Sequence, residues 1–187
     1  MEIEVSAEAK NKRLNKAVAI TVVILSVFTG LCNIKDENIV QAMQQAKADS
    51  VDRWGEYQAT RTKLHIAETA RTQIQVIGAD KPSEAANAAL RTIDEEIAKY
   101  RKETPKLAAD AKGYADQYDA LNVHDDQFDA SDALISTAIS MAAVAALVES
   151  LGLLSGAWLF GAFGIFMGVC GFAGLAFHPD ILSNFLG

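Results

Sequence analysis

A cluster of acidic side chains lies between residues 116 and 132 and is the first candidate for chemistry in this chain. The cluster consists of Asp116, Asp119, Asp125, Asp126, Asp129 and Asp132, with His124 among them. Carboxylate oxygens are hard ligands, so such a stretch favours calcium over zinc. Because it lacks the glycine spacing of an EF-hand loop, we expect a solvated acidic collar rather than a cation site.

Motifs for covalent or cofactor chemistry do not stand out in the sequence. It contains no P-loop, no G-x-S-x-G nucleophile elbow and no dinucleotide-binding fingerprint. The three histidines, His65, His124 and His178, do not have the spacing of metal ligands. We therefore predict that the protein is not an enzyme and has no catalytic residue, cofactor or metal. A net charge of −7 without a large basic patch also argues against a nucleic-acid partner.

Two long apolar blocks, 17–34 and 133–177, determine the surroundings of these groups. Neither contains Lys or Arg, and Glu149 is their only charged residue. A helix needs about 20 apolar residues to cross a membrane, and backbone groups in lipid must be paired within their own segment. We predict transmembrane helices at 15–34, 133–150 and 156–177, with a turn at 149–156 between the last two.

The first span follows a basic segment, residues 1–14, and could be mistaken for a signal peptide. Its apolar stretch is too long for one, and no small-residue cleavage site follows it, so we expect an uncleaved anchor. The four basic residues before the apolar run favour a cytoplasmic N-terminus. We therefore expect location in a bacterial inner membrane, with residues 35–132 on the outer, periplasmic side and membrane lipid as a partner.

Residues 35–132 have a helical composition with a turn signal at residues 78–83, where Gly78 and Pro82 flank a polar stretch. Two helices of similar length would leave the membrane and return to it. The predicted fold is all-α: three transmembrane helices with an antiparallel, coiled-coil-like hairpin between the first and second. A compact bundle with an extra break near Gly55 remains the alternative. Thr104 and Pro105 predict a break or kink in the second helix, and residues 178–187 predict a short interfacial tail.

Two groups of residues are candidate packing sites. Glycines recur every three or four residues in the third span, where close approach of helix backbones matters more than hydrophobic drive. These helix-packing residues are Gly161, Gly164, Gly168, Gly171 and Gly174. They could pack against the second span of the same chain or against another chain. Large side chains outside the membrane indicate a partner surface. Its residues are Trp54, Tyr57, Leu90, Ile93, Ile97 and Tyr100.

Short motifs in the chain resemble a family of bacterial membrane proteins known as the domain of unknown function 4337. The similar segments are 11–13 before the first span, 52–59 with its Trp54, Tyr57 and Ala59, and Phe128-Asp129 before the second span. A closely spaced pair of spans also ends the chain. The chain departs from the family at Thr60, where lysine is usual, and in the 149–156 turn, which lacks basic residues. The resemblance implies no activity.

Three functions follow as hypotheses. The first is a non-enzymatic membrane protein acting in assembly, either as a homo-oligomer or as an accessory subunit among other membrane proteins. The second is a channel or transport accessory, suggested by the acidic collar beside a span. The third, a metal-dependent enzyme, has no convergent set of His, Asp and Glu residues to support it.

Overall fold

The computed structural model describes residues 12–78, 83–175 and 177. These residues form three α-helices and no strand, so the predicted all-α class is confirmed. The helices are α1 (Lys12–Gly78), α2 (Glu84–Leu147) and α3 (Leu151–Ala173). Each contains an apolar stretch long enough to cross a membrane.

The helix ends follow from local sequence. Helix α1 ends at Gly78, at the predicted turn. Ser83 then precedes α2, and its side-chain oxygen accepts a hydrogen bond from the Ala86 N–H at 3.1 Å. Ser150 similarly accepts from the Leu153 N–H at the start of α3. Helix α3 ends at Gly174, whose φ of 64° is the left-handed conformation that glycine adopts easily.

Neither the alternative break near Gly55 nor a break at Pro105 occurs. Helix α1 passes through Gly55 without a break, and α2 continues through Pro105. Pro105 lacks an N–H and so leaves the Arg101 carbonyl without its helical partner. Both residues are exposed, so water can satisfy that carbonyl. The predicted N-cap residue Thr104 instead donates its hydroxyl to the Tyr100 carbonyl at 2.7 Å.

The turn between the last two helices is shorter than predicted. Only residues 148–150 separate α2 from α3, because α3 begins at Leu151 rather than at residue 156. Glu149 takes a positive φ of 52° there, and the Ser150 cap lets the next helix begin at once. The predicted interfacial tail at 178–187 and most of the basic segment 1–14 lie outside the described residues.

The chain divides into two compact units, the first formed by Met1–Gln41 and Ala120–Gly187. In it, all three helices pack through small and branched side chains. One cluster consists of Leu14, Val18, Ala142, Ala145, Leu154 and Ala157, and another of Leu25, Ile135 and Ala138. Trp158 of α3 donates its indole N–H to the Thr21 hydroxyl of α1 at 2.9 Å.

Large apolar side chains remain uncovered on the helices of this first unit. Of the most apolar stretch of α1, only 17 % is buried by the rest of the chain. On α1, Val23 is 61 % exposed and Ile34 is 64 % exposed, and Phe163 on α3 is 64 % exposed. Exposed apolar side chains on long apolar helices are the pattern expected where lipid is the solvent.

The second unit is Ala42–Asp119, and it contains parts of α1 and α2. Its contacts join the two helices in opposite sequence order. The Ser50 hydroxyl donates to the Ala111 carbonyl at 3.1 Å, and Arg101 binds Glu68 at 2.6 Å. Arg71 binds Asp94 at 2.5 Å. These ion pairs are exposed and each contributes less than about 1 kcal/mol, so they fix the alignment of the helices more than their stability.

Candidate functional site: an acidic cluster and two packing faces

Three aspartates from two helices of the first unit come together beside the apolar stretches that are long enough to cross a membrane. Asp36 lies on α1, two residues beyond the first apolar block, and Asp125 and Asp129 lie one turn apart on α2. Asp36 shares a hydrogen bond with Asp125 and feels the charge of Asp129. Asp126 and Asp132 add negative charge at the same place. We call Asp36, Asp125 and Asp129 the acidic cluster.

Burial and mutual repulsion shift the acidity of this cluster. Burial, followed by the charges of Asp125 and Asp129, raises the pKa of Asp36 from 3.8 to about 6. Burial is also the main cause that raises the pKa of Asp125 and of Asp129. The next cause is the charge of Asp129 for Asp125 and the charge of Asp126 for Asp129. The shared hydrogen bond raises the pKa of Asp36 but lowers that of Asp125. When Asp36 is protonated, its carboxyl group donates the shared hydrogen bond to Asp125.

One oxygen of the cluster has no hydrogen-bond partner within the described part of the chain. It is Oδ1 of Asp36, which is buried. Among residues 12–78, 83–175 and 177, no group of three or more His, Cys, Asp or Glu residues has an arrangement that could hold a metal ion. The chemistry that this arrangement supports is proton uptake by Asp36 near pH 6, next to two further carboxyl groups whose pKa values are also raised.

Gln127, which the sequence analysis did not single out, lies on the same helix and is completely buried. Its amide nitrogen donates to the carbonyls of Leu175 and Phe177 at 2.7 and 2.5 Å. Its amide oxygen must then accept from His124, whose Nδ1 lies 3.1 Å away, so that ring nitrogen carries a proton. Gln127 thus attaches the chain beyond α3 to α2, and His124 supports it rather than joining a metal site.

Four of the five predicted packing glycines lie buried on one face of α3, against helices of the same chain. A methyl group on Gly164 would lie 2.5 Å from Ile135 Cγ1, and one on Gly161 would lie 3.2 Å from Leu25. A methyl on Gly168 would meet Phe28 and Cys32, and one on Gly171 would meet Phe128. Both α1 and α2 therefore approach α3 along these glycines. Gly174 is the helix cap and has open space around it.

Ser131, another residue that the sequence analysis did not single out, reinforces this glycine face. It is fully buried, and its hydroxyl donates to the Gly164 carbonyl at 2.8 Å. The Cys32 sulfur lies 4.0 Å from the same hydroxyl. Cys32 and Cys170 are both free, buried thiols.

The predicted partner-surface residues divide between two faces of the second unit. Ile97 is buried, and Leu90, Ile93, Tyr100 and Tyr57 are half-buried. Trp54 remains 41 % exposed. Its ring packs edge-on against Tyr57, with 5.2 Å between the ring centres. The α2 residues thus lie on the covered side of their helix, and Trp54 is the member of the group that is open to a partner.

A surface groove of about 440 Å³ lies between the helices of the second unit near Pro105. Its charged lining residues are Arg53, Lys63, Lys106, Glu56, Glu103 and Asp110. Arg53 is bound to Glu56 at 2.7 Å. Because three basic side chains balance three acidic ones, the groove does not favour a ligand of either charge.

Asp36 is the functional candidate that sequence reasoning missed. Its place two residues after the first apolar block could have identified it. For two consecutive helices that cross a membrane in opposite directions, the end of the first and the start of the second lie at the same boundary, so the sequence predicts Asp36 and the aspartates before residue 133 at one level. Gln127 and Ser131 gave no such signal, because single polar residues in an amphipathic helix are common on its exposed side.

Comparison with known proteins gives one match. No curated protein and no solved structure matches the chain significantly. A family described as a domain of unknown function, DUF4337, matches residues 14–174, which include α1 from Leu14 onward, all of α2 and α3, and the cap of α3. The chain therefore belongs to the DUF4337 family.

Proposed function

We propose that this protein is a non-enzymatic integral membrane protein that acts in assembly. It serves as a homo-oligomeric scaffold or as an accessory subunit of a larger membrane complex. Its three apolar segments cross the bacterial inner membrane with the N-terminus in the cytoplasm. Residues 35–132 form an antiparallel helical hairpin on the periplasmic side.

The observation that carries this proposal is an exposed apolar surface in the segment assigned outside the membrane. On the second-unit part of α1, Val51 is 61 % exposed, Ile66 is 62 % exposed and Trp54 is 41 % exposed. Lipid covers the apolar faces of the first unit, but water would surround these side chains. Apolar groups that stay exposed in water on a folded element usually mark a protein partner.

The glycine face of α3 is not available for this role. Its glycines already contact α1 and α2 of the same chain, so they hold the three-helix anchor together. The outer surface of the second unit is left as the place where a partner binds.

Native mass spectrometry of the full-length protein, extracted from membranes in a mild detergent, tests the assembly role. We expect a mass that is a multiple of the 20.1 kDa chain or that includes other subunits. A single chain at all protein concentrations, in detergent and in lipid nanodiscs alike, would contradict the proposal.

A second candidate function is a transport or channel accessory, and the acidic cluster favours it. The pKa of Asp36 is raised to about 6, and a carboxyl group beside a span that takes up a proton in this way is typical of proton and cation pathways. A variant with Asn at all three positions, Asp36, Asp125 and Asp129, tests this function. Proton and cation flux is measured in vesicles reconstituted with the variant and with the wild type. A flux in the wild-type protein that the replacement abolishes supports it, and the absence of flux in the wild type removes it.

A further inference from the structure

Helix α1 has two opposite stripes within the second unit. One is covered by α2 and contains Met43, Ala46, Ser50, Thr60, Leu64 and Ala67, all buried or half-buried. The second stripe lies on the side of α1 that faces away from α2, and its residues recur at the same alternating spacing of three and four. It consists of Ala48, Val51, Gly55, Gln58, Thr62, His65, Thr69, Thr72 and Val76, all of them exposed. We call this second set the outer stripe.

The outer stripe contains no Lys, Arg, Asp or Glu over residues 48–76, in a chain that is 22 % charged. At about 1.5 Å per residue this face is about 42 Å long. The matching outer face of α2 is very different. Its exposed residues at the same spacing are Arg91, Glu95, Ala98, Lys102, Pro105, Ala109, Lys112 and Asp116.

The threonine side chains of the outer stripe can be buried in a contact that excludes water. Thr62, Thr69 and Thr72 each donate their hydroxyl to a backbone carbonyl four residues earlier, at 2.8 to 2.9 Å. These donors are satisfied within the helix, so burying the side chains does not leave an unpaired hydroxyl hydrogen. Gly55 has no atom within 4 Å of its missing methyl among the described residues, and it permits a close backbone approach.

We propose that the outer stripe of α1 binds the outer stripe of a second copy of this chain, in parallel and in register. This inference rests on the proposed membrane anchoring and assembly role. All copies inserted in one membrane have the same orientation, so equivalent helices outside it run parallel. Apolar residues repeating every three and four positions are the pattern through which two parallel helices pack, and the outer stripe has this spacing with Ala48, Val51 and Val76 as its apolar members.

The pattern of charges favours a second copy of this chain as the partner, and it favours α1 over α2 as the contacting helix. When two copies pack in register, a residue beside the outer stripe of one helix faces the residue five positions later in the helix of the other copy. These pairs are Lys47 with Asp52, Trp54 with Ala59, Arg61 with Ile66 and Glu68 with Gln73. One pair is attractive, and none joins like charges. Parallel pairing through the outer face of α2 would instead place Arg91, Glu95, Lys102, Lys112 and Asp116 each opposite its own copy.

The polar content of the outer stripe makes the pairing weak in free solution. Membrane anchoring compensates, because confining both copies to one surface raises their effective concentration without any new contact. The pairing is therefore expected in the full-length, membrane-embedded protein.

Disulfide cross-linking of the full-length protein in membranes tests the inference. Val51→Cys and Thr62→Cys on the outer stripe are compared with Ala98→Cys and Ala109→Cys on the outer face of α2, with the wild type as the control for its own cysteines. After mild oxidation we expect a two-chain product for both stripe variants, at least fivefold above that of both α2 variants. Equal yields on both faces, or a higher yield on α2, would overturn the inference.

A charge-insertion pair checks the same surface without cross-linking. Thr62→Glu with Thr69→Glu places like charges opposite each other and should lower the assembly mass to that of smaller species. Ala98→Glu with Ala109→Glu should leave the mass unchanged, and helix content by circular dichroism confirms folding of both. An assembly that persists in the stripe variant refutes this interface but leaves the assembly role intact. A monomeric wild type refutes both.

Discussion

At the scale of single residues, Asp36 is the group whose chemistry depends most on its surroundings. It begins as an ordinary carboxyl next to an apolar block, and the fold places it against Asp125 and Asp129. Its raised pKa means that the folded protein binds this proton more tightly than the unfolded chain does. The resulting stabilisation is fully present below about pH 3.8 and is lost as the pH rises through about 6.

Replacing Asp36 with Asn should therefore stabilise the protein above pH 6. The amide is neutral and can still donate a hydrogen bond to Asp125. The full pKa shift is reduced by the partial exposure of the site, so we expect a gain of about 1 kcal/mol at pH 8. Thermal unfolding in detergent, followed by circular dichroism at pH 5 and pH 8, measures it.

Glu37→Gln is the matched control for this substitution, because Glu37 is the exposed neighbour of Asp36 on α1. We expect it to leave the pH dependence of unfolding unchanged. If Asp36→Asn destabilised the protein equally at both pH values, the acidic cluster would not control stability through its proton.

Gly164 is the residue where the packing of α3 is tightest. An added methyl group would lie 2.5 Å from Ile135 Cγ1 and 3.1 Å from the Ser131 carbonyl oxygen. Backbone cannot move aside as a flexible side chain can, so we expect Gly164→Ala to destabilise the folded protein by about 1 to 3 kcal/mol. Thermal unfolding of the purified protein in detergent measures the change.

Gly30→Ala provides the comparison for Gly164→Ala. Gly30 is also a helical glycine of a spanning segment, and among the described residues nothing lies within 4 Å of its missing methyl. The substitution should leave stability unchanged or raise it slightly, because alanine favours a helix. Equal losses at the two positions would mean that the glycines act through the helix backbone and not through packing.

At the scale of helices, the sequence was most informative where local chemistry decides the outcome. The end of α1 at Gly78 could be predicted, because the punctuation of a helix by glycine acts within a few residues. The third span could be identified for the same reason, since its apolar run is long and uncharged.

Prediction from local sequence failed where the surroundings of a residue compensate for its own preference. Pro105 predicts a break by its own geometry, yet the helix continues because its orphaned carbonyl is open to water and α1 packs alongside. The grouping of Asp36 with Asp125 depends on which helix ends meet, and it becomes visible only when the end of the first apolar block is compared with the start of the second. The outer stripe was equally hidden, because an uncharged face can be recognised as exposed only after the covered face is known.

At the scale of the whole molecule, the direction of insertion determines which face of the protein meets which compartment. Four basic residues precede the first apolar block, and residues 113–187 contain none. The charge bias therefore comes almost entirely from the N-terminus and predicts that this end stays in the cytoplasm, while long segments cross regardless of their charge.

Thiol labelling in intact bacterial cells tests this orientation. We expect a membrane-impermeant maleimide to label Ala109→Cys in the second unit without permeabilisation. Glu149→Cys, in the turn between α2 and α3, should react only after the membrane is opened, because two crossings return the chain to the cytoplasm at that turn. The reverse pattern would invert the topology and move the outer stripe into the cytoplasm, but it would leave equivalent helices parallel. The proposed pairing would therefore survive an inverted insertion, and only a population of copies in both orientations would remove its geometric basis.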